Sequence, residues 1–126
     1  MAEALVMDPQ VLVLDEPTLS LGTAAYQHLR QMLMRLRDLG KAVLLADSKV
    51  DFVAEVADTV TVLDQGRVVL QGPVRTVFAK ANWAQLTALS LSPPRVAQLA
   101  RRLGVTALTY DELRLFAATP AAGMGL

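Results

Sequence analysis

Apolar residues along the chain fall into runs of two kinds, and together they predict alternating strands and helices. V-L-V-L at 11–14 and A-V-L-L-A at 42–46 are short continuous runs, the pattern of strands buried on both faces. Between them Leu29, Met32, Leu33 and Leu36 repeat at helical spacing from Thr23 to Leu39, with Gly40 placed as the stop. Arg30, Arg35 and Arg37 lie mostly off that stripe and read as a solvated face. Residues Met1–Met7 are helix formers halted by Asp8-Pro9, which delivers the chain into the first strand. Ser48 or Asp47 can cap a helix over about Val50–Val56. Asp58–Leu63 and Arg67–Gln71 flank Asp64-Gln65-Gly66, a hairpin turn in which Gly supplies a positive φ. Strand, helix, strand, helix and then strands is an α/β order with a partly parallel sheet and flanking helices.

The pattern changes after Gly72. Gly72-Pro73 starts a short helix, and Ala79–Ser92 is Ala/Leu-rich around Trp83, its one large aromatic anchor. Ser92-Pro93-Pro94 is a further start signal, with Pro tolerated in a first helical turn. Val96, Leu99, Ala100 and Leu103 form the next apolar stripe, closed by Gly104. Thr109 then opens T-Y-D-E-L as an N-cap, with Glu112 completing a capping box. Residues 117–126 are small and Gly-containing, a tail expected to fray. The expected organisation is an α/β piece over 1–72, a helical extension over 73–118 and a frayed tail over 119–126.

Composition narrows the class. The 126 residues are 53% hydrophobic and 19% charged, rich for a chain of this size, which implies tight packing or apolar surface kept for a partner. The longest apolar runs fall far short of the ~20 residues that a membrane-spanning helix needs. The start of the chain shows neither a basic n-region nor a cleavage pattern, so the expected compartment is the cytosol. No cysteine is present, which excludes disulfides and thiolate metal sites. Twelve basic and twelve acidic residues cancel, leaving no electrostatic case for a nucleic-acid partner.

The chemistry concentrates at V-L-V-L-D-E-P-T, residues 11–18. Two carboxylates, Asp15 and Glu16, stand where a rigid strand ends. There the first can face Mg²⁺ and the second a water beside a phosphate. This octapeptide resembles the Walker B site of ATP-binding cassette (ABC) transporter ATPases. The similarity continues through A-V-L-L-A and F-V-A-E-V-A-D-T-V-T-V-L-D-Q-G-R-V-V-L-Q-G. The tail S-L-S-P-P-R-V-A-Q-L-A-R-R-L-G with L-T-Y-D-E-L is similar to the C-terminal extension of the energy-coupling-factor subgroup, which powers uptake of vitamins and of cobalt or nickel ions. The resemblance implies an incomplete P-loop NTPase core plus a small helical extension. It further implies that Asp15 holds Mg²⁺ through water and that Glu16 is the general base toward the γ-phosphate of ATP.

Two positions depart from the family pattern. Leu19-Ser20-Leu21-Gly22 puts Gly22 where the family's loop ends in Asp, and Ser48 stands at the usual position of a γ-phosphate-binding His. A serine can donate one hydrogen bond but lacks the reach and charge of imidazole. His28 lies mid-helix and reads as a plain surface histidine. Lys49 reads as a solvated lysine at a helix start, with approach to a phosphate as the other option.

None of the seven glycines belongs to a G-x-x-x-x-G-K-[ST] phosphate loop, and no L-S-G-G-Q is present. Gly40-Lys41 is a helix stop leading into a strand. The resemblance places the phosphate-loop strand between those at 42–46 and 58–63. Without it, either these two pair directly or each keeps an apolar edge, giving an altered or partner-completed sheet.

The reading is therefore part of an energy-coupling-factor-type ABC ATPase, whose intact parent uses Mg²⁺ and ATP. The chain alone is expected to bind neither and to be inactive. Implied partners are the N-terminal half of the ATPase or a second ATPase subunit, and in the parent a transmembrane component, at the inner face of the cell membrane. The alternatives are a non-catalytic dimerisation or docking module and an unrelated phosphoryl-transfer fold using the same acid pair.

Overall fold

The computed structural model describes residues 2–119, and the end of the expected frayed tail, 120–126, lies outside them. Helix α1 (Ala2–Val6) is short, and β1 (Val11–Asp15) follows it. Helix α2 (Thr23–Asp38) then leads back to β2 (Ala42–Ala46). Gly40 takes a left-handed φ of 75° directly after α2, the conformation that ends a helix at least cost in glycine. Strands β1 and β2 pair in parallel, with Leu12 beside Val43 and Leu14 beside Leu45. Leu14, Val43 and Leu45 pack against α2, whose Leu29 and Leu33 are buried with Phe52 of α3 (Val50–Val56), and Leu12 is buried on the same strand face.

The opposite face of this pair is bare. Val13 is 66% exposed and Leu44 is 65% exposed, with Val11 alongside. Both V-L-V-L and A-V-L-L-A are thus covered on one face only, against the two-sided burial that the continuous runs predict. A parallel pair needs cover on both faces, and the described residues supply it on one.

Strands β3 (Thr59–Asp64) and β4 (Arg67–Pro73) form a separate antiparallel sheet. The two-residue turn between them has positive φ at both Gln65 and Gly66, the geometry that matches strand twist. The register shifts between Val62 and Leu63, so β4 holds one extra residue there. Strands β2 and β3 do not pair. Of the two expected outcomes for the sheet, the structure has the second, an edge on each that no described strand pairs.

After β4 come α4 (Val74–Val77), a 3₁₀ turn (Lys80–Asn82), α5 (Trp83–Ala88), α6 (Arg95–Arg102) and α7 (Tyr110–Ala118). The hairpin shares one core with this extension, built from Ala54, Val60, Val62, Val77, Phe78, Leu86 and Leu108. Trp83 anchors its edge by donating its indole N–H to Phe78 O at 2.9 Å. The α6 stripe is only half used. Val96 and Ala100 are buried against Ala107, while Leu99 and Leu103 are exposed, because α6 is covered along one narrow line. Thr109 caps α7 as expected, accepting from Glu112 N at 3.2 Å. Glu112 reciprocates one residue further back, accepting from Leu108 N at 2.7 Å. No described helix is long and apolar enough to cross a membrane.

Candidate functional site

Asp15 is the last residue of β1 and lies on the bare face with Val11 and Val13, because side chains alternate along a strand. Glu16 leaves the strand. Its N–H still donates to Ala46 O at 2.7 Å, extending the ladder by one bond. Its φ of 46° then turns the chain sharply, an unusual conformation for a residue with a full side chain. The turn aims the carboxylate at the loop after β2. There Glu16 Oε2 accepts from Ser48 Oγ at 3.2 Å and, more loosely, from Ser48 N at 3.4 Å. The two sequence-derived positions, Glu16 and Ser48, are therefore brought together.

A second set of bonds locks these loops. Thr18 is fully buried, and its hydroxyl lies 2.8 and 2.7 Å from the two oxygens of Asp47, to which it donates. Thr18 N donates to the same carboxylate at 3.1 Å. Lys49 Nζ donates to Thr18 O at 3.0 Å, and Lys49 N donates to Asp47 Oδ1 at 2.9 Å. Asp47 is thus not the side-chain cap of α3. The N-cap of that helix is Lys49, whose own side chain makes no capping bond, and Asp47 holds the Lys49 amide while its main partner is Thr18. Lys49 is exposed at the helix start, as expected, and its ammonium donates to the neighbouring loop. Sequence reasoning noted P-T after D-E without assigning Thr18 a partner. The one signal available was a small hydroxyl residue and an acid following two adjacent strands.

Gly22 is the N-cap of α2 in an extended conformation, and a Cβ built there meets nothing within 4 Å. The position has room for the family's Asp and does without it. His28 is exposed on α2, as expected. Arg30 is not part of a solvated face. Its guanidinium lies 3.2 Å from both Glu55 Oε2 and Asp111 Oδ2. Around this junction lies a cleft of about 270 Å³, lined in part by Tyr26, Arg30, Glu55 and Tyr110. Tyr26 stacks edge-on against Phe52, with ring centres 5.0 Å apart. Burial, aided by the nearby Glu55, Asp51 and Asp47 carboxylates, raises the Tyr26 phenol above its ordinary pKa.

Chemically, the site offers a carboxylate at a strand end, a second carboxylate pinned by a serine, and a rigid brace behind them. Among the described residues no three His, Cys, Asp or Glu side chains converge as a metal cage. Such a donor set suits a hard cation held mostly by water and phosphate oxygens, and it does not suit a resident structural metal.

No protein-family model matches the chain. It is 38% identical over 111 residues to the energy-coupling factor transporter ATP-binding protein EcfA2 of Lacticaseibacillus paracasei, covering 87% of this chain and 38% of that protein. It is also 38% identical over 118 residues to EcfA of Methanoculleus marisnigri, covering 90% of this chain and 43% of the relative. Among solved structures it is similar to CbiO1 of Clostridium perfringens, described as part of the ABC transporter complex CbiONQ. That likeness has a TM-score of 0.57 at 31% identity and covers 82% of this chain and 40% of that one. The ATP-binding cassette MJ1267, in its ADP conformation, gives a TM-score of 0.57 at 19% identity, a likeness of fold alone. The chain spans about two fifths of the length of the two curated relatives named here. By sequence and fold together, it matches part of the ATP-binding proteins of ATP-binding cassette transporters and resembles their energy-coupling-factor branch.

Proposed function

We propose that this chain carries the hydrolytic strand of an energy-coupling-factor-type ATPase, and that it works only when another polypeptide segment supplies the phosphate loop. The observation that carries this reading is the Glu16–Ser48 contact at the ends of two parallel strands. It pairs an acid with a hydrogen-bond donor, an arrangement of the kind that phosphoryl transfer uses. In this role Asp15 holds Mg²⁺ through water, and the ion would neutralise charge on the phosphates of ATP. Glu16 accepts the proton of the attacking water. Ser48 orients Glu16 by donating its one hydroxyl proton to it, which leaves a phosphate less than an imidazole there would offer. The brace of Asp47, Thr18 and Lys49 keeps both loops in place.

In this reading the α/β piece over 1–72 serves nucleotide chemistry and the helices over 73–118 serve assembly. The partners are the remaining ATPase segment, a second ATPase subunit and a membrane transporter component, met at the cytoplasmic face of the membrane. The chain by itself should bind no Mg-ATP. Titration calorimetry on the purified chain is the check, and micromolar affinity would overturn this part of the reading. Mixing the chain with a polypeptide bearing G-x-x-x-x-G-K-[ST] and L-S-G-G-Q from an energy-coupling-factor relative should restore ATP hydrolysis, and Glu16→Gln should abolish it.

A second reading, a non-catalytic docking module, draws its support from Gly22 and Ser48, which stand where the family has Asp and His. Stable association with that polypeptide, without hydrolysis, would favour it.

A further inference from the structure

Helix α3 takes part in both cores of the molecule. Phe52 packs with Leu29 and Leu33 of α2, while Ala54 packs with the hairpin and the extension. Its polar face carries Asp51 and Glu55, one turn apart, and both carboxylates reach the extension. Asp51 Oδ1 accepts from Arg95 N at 2.7 Å. Glu55 Oε1 accepts from Tyr110 N at 3.0 Å, at the first turn of α7, where an anion meets the positive end of the helix dipole. The other oxygen of Glu55 takes Arg30 of α2 at 3.2 Å, and Arg30 also holds Asp111 of α7. The Glu55 side chain is only 7% exposed. Removing a cationic or N–H partner from a carboxylate this buried leaves its desolvation uncompensated.

The other end of α3 is the loop that touches the acid pair. Ser48 is separated from the first residue of α3 only by Lys49, and Asp47-Ser48-Lys49 make the contacts to Glu16 and Thr18. A two-turn helix fixed along one face moves as a rigid piece, so a shift at Glu55 reaches Ser48. We infer that Glu55 is a positioning residue through which docking of the α6–α7 extension sets the Ser48–Glu16 contact. The extension is then a conformational control on the acid pair as well as an assembly surface. Only the chemical consequence of this coupling rests on the proposed ATPase role; the coupling itself belongs to the fold.

Native-state amide exchange on the full chain, followed by NMR, tests the coupling without nucleotide. In Glu55→Gln, exchange at the Ser48 and Lys49 amides should quicken about three- to tenfold, while the α2 amides near Leu29 and Leu33 stay protected. Arg30→Met should act in the same direction, and Arg30→Lys should restore most of the protection. Loss of protection confined to Tyr110 and Asp111, with Ser48 and Lys49 unmoved, would overturn the inference. A uniform rise across α2 and the hairpin would also overturn it, because Glu55 would then act through overall stability alone. Absence of ATPase activity in the complementation experiment leaves this readout untouched, so the two ideas fail separately.

Discussion

Leu86 and Leu44 are ordinary leucines in regular secondary structure, yet the first is 0% exposed and the second is 65% exposed. Leu86 sits in the hairpin-and-extension half, where an antiparallel pair and short helices close around one core. Leu44 sits on the parallel pair, where α2 covers one face and nothing described covers the other. An antiparallel hairpin can leave one face to solvent without penalty, whereas parallel strands are built for two-sided cover. One half of the chain therefore completes itself. The other is a half-layer, and Asp15 lies on its uncovered side.

The most severe test of this contrast is truncation on each side. Leu86→Ala should cost about 2–5 kcal/mol in urea unfolding, and Leu44→Ala no more than about 0.5 kcal/mol. Equal losses would mean that the bare face is covered in solution, and the contrast would collapse. Next in size is the brace. Thr18→Val keeps the shape but leaves Asp47 without its buried hydroxyl donor, at a cost of about 1–3 kcal/mol, and Thr18→Ser should recover most of it.

Tyr26 sharpens the comparison at the seam between the halves. Its phenol is raised above the ordinary value of 10.0, chiefly by burial and then by Glu55, Asp51 and Asp47, with Arg30 opposing. The unfolded chain therefore loses the proton first. Stability from this group is intact below about pH 10 and falls as pH climbs through the raised folded value. Unfolding measured at stepped alkaline pH should show that decline, and Tyr26→Phe should flatten it. Smallest is Gly22→Asp, which adds a capping oxygen and a favourable charge at the start of α2 without a clash. A gain of about 0.5 kcal/mol is expected, read as a rise in the urea midpoint.

Local features of this fold could be read from the residues because their causes are local. Strand runs at 11–14 and 42–46, the stop at Gly40, the hairpin at Gln65-Gly66 and the Thr109 cap all depend on near neighbours. What escaped was long-range. Arg30 looks solvated in sequence because Glu55 and Asp111 lie far away along the chain. Asp47 looks like a helix cap until Thr18, from the loop after the adjacent strand, claims both of its oxygens. The α6 stripe predicts four buried residues, but of these only Val96 and Ala100 are buried. At the site, Asp15 and Glu16 were legible from the strand run that ends in them. The left-handed turn at Glu16, which produces its contact with Ser48, has no sequence signature in a glutamate.

The two-residue turn between β3 and β4 has a consequence for timing. Strands joined so tightly find each other within microseconds, and the helices that cover them follow closely along the chain. Strands β1 and β2 must instead wait for α2 to form and fold back between them, a longer loop closure. The stretch nearest the start of the chain is thus the slower one to pair. While it waits, its apolar surface is open to chaperones, or to self-association when none is at hand.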